Sequence, residues 1–188
     1  MTTLAAFWLP ILLSAVFVFL ISSAIHMALQ IHKGDYKKLP NEDATLDALR
    51  QLAVPAGQYM FPCAASMTDM GSPEMVAKMQ RGPVGMMIVR AQGSMNMGKA
   101  LGQWFALCLV IGFFTAYLTG NALHPGASDM QVFRFAGAVA VLGHSFSSVN
   151  DSIWKGVSWS TTLKYVGDGI AYGLATGATF AWLWPAAL

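Results

Sequence analysis

Three ionisable residues lie in stretches otherwise almost free of charge: His26, His144 and Asp168. A carboxylate beside imidazoles can relay protons, orient a histidine ligand or help hold a metal. Histidines on two different helices, His26 and His144, are also able to ligate a b-type haem. A plainer chemistry competes with these. Asp168 stands early in its apolar run, where a helix dipole favours negative charge, and Lys164 one turn away can neutralise it as a structural clasp.

Other patterns are weaker. "GSMNMGKA", residues 93 to 100, satisfies the G-x-x-x-x-G-K part of a phosphate-binding loop, but Ala100 occupies the place of the Ser or Thr that holds Mg²⁺. Lys99 reads better as an interfacial anchor. The 12 methionines include Met67/Met70, Met75/Met79 and Met95/Met97. Thioethers bind Cu(I), yet flexible gap filling or partner contact suits these positions better. Cys63 and Cys108 form neither a CxxC nor a zinc-type spacing. There is no GxSxG or HExxH run, so the sequence offers no support for an enzyme.

Apolar segments must position these groups. Of 188 residues 55% are hydrophobic and 11% charged, against roughly a quarter charged in an average soluble domain. Four stretches, 4–29, 100–122, 132–150 and 165–185, approach the ~20 residues that cross a ~30 Å hydrocarbon core. Backbone groups in lipid must be satisfied within the segment, which makes each stretch a helix. The expected fold is an all-α integral membrane protein with four transmembrane helices: residues 1–31 form the first, 32–98 a small ordered cytoplasmic region, and 99–188 helices two to four.

Lys33, Lys37, Lys99, Lys155 and Lys164 flank the first and third connections, which the positive-inside bias places in the cytoplasm. Both termini then face the periplasm. Counting residues from the helix ends sets His26, His144 and Asp168 at a common depth, roughly 6 to 10 Å inside at 1.5 Å per residue. Gly169, Gly173 and Gly177 recur every four residues, so they share one face and open it to close approach by another helix. Ala136, Ala140, His144 and Ser148 repeat likewise on the third span, marking it as the natural partner.

Within the connection, Leu46, Leu49 and Leu52 have helical spacing before Pro55 and Gly57. A second helix is signalled by Ser72 as N-cap, Pro73 at the first position and Gly82-Pro83 as terminator. "VGMMIVR", residues 84 to 90, suits a short strand or an interfacial segment equally.

The runs "HKGDYKKLPNEDATLDALR" and "PAGQYMFP", with "SIWKGVSWSTTLKYVGDGIAYGLATGATFAWLWP", resemble an uncharacterised family of small bacterial inner-membrane proteins. The resemblance covers less than half the chain. It implies a bacterial inner-membrane location and no activity. Together these readings point to a non-enzymatic accessory or scaffold subunit in a larger membrane assembly. Its expected partners are membrane lipids and either other subunits or a second copy, with no nucleic acid. The alternative is a cofactor-, metal- or proton-handling protein built on His26, His144 and Asp168.

Overall fold

The computed structural model describes residues 4–93 and 95–186. Ser94, within the G-x-x-x-x-G-K run, and residues 1–3, 187 and 188 lie outside the described residues. The chain is mostly helical and divides into two compact units, one of residues 4–35 with 96–186 and one of 36–95.

In the first unit, α1 (Trp8–Ser23) is extended by a 3₁₀ turn at Leu4–Phe7 and a π turn at Ala24–Ala28 into a continuous 25-residue helix. It packs against α5 (Met97–Ala122) and α8 (Trp159–Trp182), and α6 (Asp129–Ser145) packs against α5 and α8. A short α7 (Ser147–Lys155) continues α6 past Phe146. The entries of α5, α6 and α8 are each capped by a polar side chain that takes an otherwise orphaned backbone N–H. Asn96 accepts from Lys99 N at 2.9 Å, Ser128 and Gln131 form a capping box, and Ser158 accepts from Thr161 N at 3.3 Å.

Three helices are long and apolar enough to cross a membrane: Leu4–Ala28, Met97–Ala122 and Asp129–Lys155. The fourth expected span, α8, has 24 residues but falls short in hydropathy. The cause is visible in its composition. Glycine and threonine replace bulky aliphatic residues along it, and Lys164 and Asp168 add charge.

Those glycines sit where α8 meets α6. A Cβ at Gly173 would lie 2.8 Å from Val141 N and 3.0 Å from Gly137 O, and one at Gly177 would lie 2.7 Å from Phe133 O. At Gly169 it would lie 2.9 Å from the backbone of His144 and Ser145. Backbone therefore faces backbone, and no side chain fits between. The α6 row that meets the glycines is Phe133, Gly137, Val141 and Ser145, one residue along from the row the sequence marks. Where α5 meets the first helix, glycines receive side chains instead, Gly112 those of Ile11 and Ser14 and Gly120 the ring of Phe7.

The second unit holds α2 (Glu42–Gln51), α3 (Met67–Met70), α4 (Pro73–Arg81) and an antiparallel ribbon of β1 (Gly57–Phe61) and β2 (Gly85–Val89), with Tyr59 opposite Met87. Ser72 caps α4 by accepting from Met75 N at 3.2 Å, and Pro73 takes the first helical position.

Candidate functional site

A connected set of charged and aromatic side chains lies where the end of α1 meets α8. The π turn at Ala24–Ala28 carries His26, and such turns are rare and frequent at functional sites. Two residues later Gln30 adopts a left-handed conformation, φ 50°, that costs an ordinary residue roughly 1–2 kcal/mol. It reverses the chain. Two successive turns, Lys33 N to Gln30 O and Asp35 N to His32 O, both 3.1 Å, then set His32 and Asp35 against α8.

From α8, Lys164 and Asp168 project one turn apart, with Tyr165 beside them. His32 lies at the centre. Its Nδ1 is 2.6 Å from Asp35 Oδ2 and its Nε2 is 2.8 Å from Asp168 Oδ2. The Lys164 ammonium donates to Asp35 Oδ1 at 2.6 Å and to the Ile31 carbonyl at 3.0 Å. The His32 ring is flanked by His26 and Tyr165, each with its centroid 4.6 Å away. The Asp35 side chain retains 1% of its exposure, that of Asp168 8% and that of His32 10%, so these bonds form largely away from solvent.

Lys164, followed by His32, holds the Asp35 carboxyl below its ordinary range, since hydrogen bonds to the carboxylate form favour it. An ionised Asp35 accepts the His32 Nδ1 proton. The Nε2 contact then needs a second proton, because an ionised carboxylate cannot donate: either Nε2–H donates to Asp168, or a protonated Asp168 donates to Nε2. On His26, Nδ1 faces the Ser22 carbonyl at 3.1 Å. A carbonyl only accepts, so Nδ1 carries the hydrogen and Nε2 keeps its lone pair in the neutral ring.

The sequence places His144 beside His26 and Asp168, and the structure corrects this. His144 packs edge-on against Trp104 and Tyr172, with centroids at 5.9 and 5.4 Å, and takes no part in the cluster. Residue spacing sets depth along a helix, but the rotation of α6 about its axis decides which way a residue points. The residue that joins His26 and Asp168 is His32. A haem held by His26 and His144 does not fit these surroundings, because the His144 ring is packed edge-on against Trp104 and Tyr172 and does not join His26.

The Lys164–Asp168 clasp is corrected too, since Lys164 reaches Asp35 instead and Asp168 takes His32. His32 and Asp35 fall in the stretch the sequence assigns to the connection, where polar residues are unremarked. The signal that reveals them is the H-x-x-D spacing of "HKGD", which brings imidazole and carboxylate together in one tight turn.

Gly169, Gly173 and Gly177 line the α6 side of α8, and Gly169 follows Asp168 directly. No protein family, curated protein or solved structure matches the chain.

Proposed function

We propose that the protein is a four-span membrane protein of the bacterial inner membrane, a non-enzymatic accessory or scaffold subunit that docks a partner subunit through residues 36–95. One observation carries this reading. Among the described residues of that unit only Met75 is buried, while Leu46, Leu52, Met60, Val76, Val84 and Ile88 are exposed. A unit of this size is marginal even with a full core, so apolar side chains left outside it gain from a partner that covers them. An open groove of about 540 Å³ is lined by Leu46, Leu49, Val54 and Val89 together with Arg90 and with Arg50, which pairs with Asp47. Its chemistry suits an apolar segment bearing an acidic residue.

The four-span arrangement rests on length. At 1.5 Å per residue α8 covers roughly 36 Å, enough for a ~30 Å core. Trp159 and Trp182 stand exposed at its two ends, as interfacial aromatics do. Basic residues in the first and third connections favour a cytoplasmic 36–95 unit and periplasmic termini.

Photo-crosslinking residues at positions 46 and 88, introduced singly into the full chain in native membranes, test the docking. The expected product is one discrete protein adduct, either a distinct subunit or a second copy. Adducts with lipid alone would reject a docking role. A periplasm-active reporter fused near Met70 should stay silent, and activity there would reverse the orientation.

A further inference from the structure

We propose that His26, His32 and Asp168 bind one divalent transition-metal ion of the zinc class, in a two-histidine, one-carboxylate site independent of any docking partner. Each residue offers one ligand atom, and the three atoms lie within 4.8 Å of one another. Imidazole nitrogen with a carboxylate oxygen suits Zn²⁺, Co²⁺ or Fe²⁺ better than Ca²⁺ or Mg²⁺, which prefer oxygen, or Cu(I), which prefers thioether and thiolate.

The surroundings are those a metal-binding histidine needs. A ligating imidazole almost always donates its other N–H to a carboxylate or backbone carbonyl, which fixes tautomer and orientation. His32 Nδ1 faces Asp35, which Lys164 anchors in turn, and His26 Nδ1 faces the Ser22 carbonyl. Both Nδ1 atoms are thus committed to these partners, which makes the Nε2 atoms the candidate ligands, that of His32 now shared with Asp168. The third ligand, Asp168 Oδ2, already lies 2.8 Å from His32 Nε2. Two ligands about 2.1 Å from one ion sit roughly 3 Å apart or somewhat more, so that pair needs to open only slightly.

Binding replaces the single proton held between His32 Nε2 and Asp168 Oδ2, and that proton leaves to solvent. Two neutral imidazoles and one carboxylate then bind the ion, with Asp35 and Lys164 completing the outer layer. His26 must tilt, because its ring now stacks within 12° of parallel on His32 and a metal bonds in the ring plane. It is exposed, which gives the ring room to turn.

The test uses the full chain in detergent, purified on a tag without histidine and stripped with chelator. Zn²⁺ is titrated calorimetrically, bound metal is counted, and Co²⁺ is added to read its visible bands. One ion per chain is expected. His26→Ala should weaken binding at least tenfold and abolish the Co²⁺ bands, while its melting curve overlays the wild type because His26 is exposed. Asp35→Asn should weaken binding roughly 10- to 100-fold through loss of His32 orientation. His144→Ala and His124→Ala should bind as the wild type does. Absence of stoichiometric Zn²⁺ in the wild type, wild-type affinity in His26→Ala, or equal loss in His144→Ala would each overturn the site.

Discussion

The helical unit and the 36–95 unit bury opposite things. In the helical unit Ser14, Thr115, Thr162, Asp168 and Thr176 are inside, whereas Trp8, Leu20, Phe114, Leu142 and Leu163 are outside. Small and hydroxyl-bearing residues at the seams with bulky apolar ones outward is the pattern of helices whose surroundings are as apolar as leucine. Hydroxyls return to their own backbone there, as Thr115 does to Ile111 and Thr176 to Tyr172, both at 2.9 Å. The 36–95 unit has no such inversion and almost no interior. It carries exposed ion pairs such as Lys78–Glu74 and Lys38–Glu42, the marks of a watery surface, beside apolar residues left uncovered. On the proposed function, lipid would complete the one unit and a partner the other.

The largest expected effect breaks the helical side of that contrast. Gly173→Ile puts a branched side chain against the backbone of Val141 and Gly137, at or beyond the upper end of the ~1–3 kcal/mol typical for overpacking. Reversible unfolding in detergent measures it. Gly167→Ala on the same helix is the control. Nothing lies within 4 Å of a Cβ there, so stability should hold or rise by up to ~1 kcal/mol from helix propensity. Equal loss in both variants would refute close packing as the cause.

Asp168→Asn comes next. It keeps the shape but replaces the carboxyl group that pairs with His32, and should cost ~1 to 3 kcal/mol in the same assay. An unchanged midpoint would mean that the cluster does not fasten α1 to α8.

The smallest effect belongs to the other unit. Glu74 accepts from Lys78 at 2.8 Å and raises the lysine pKa. A raised folded value means that any stabilisation is complete below the ordinary value near 10.4 and is lost as pH climbs through the folded one. Glu74→Gln should move the Lys78 titration, followed by NMR, down toward that ordinary value. At pH 7 unfolding should not change measurably, as both groups are exposed.

What could be read from the sequence follows where the information is local. The cap at Ser72, the glycine spacing of α8 and three apolar runs depend on neighbours in sequence, and each corresponds to a feature of the structure. The rest depends on distance or rotation. β1, "GQYMF", becomes a strand only because β2 lies beside it, 28 residues on. His32 enters the cluster because Gln30 folds the chain back, a turn that no glycine announces. α8 misreads as an ordinary span because its apolarity comes from neighbours. Its own side chains are small and polar where α1 and α6 cover them.

During synthesis α8 emerges after α1, α5 and α6, and in the four-span arrangement it brings the least hydrocarbon of the four to its own insertion. Bare glycine backbone and a carboxylate partition poorly into acyl chains. They partition well into a groove that earlier helices have already built. In that arrangement birth order would become assembly order, with α8 recruited by its siblings rather than by the lipid. A chain released before it would leave His32, Asp35 and the Val141 face of α6 without the partners that α8 supplies, the mark of an unfinished protein.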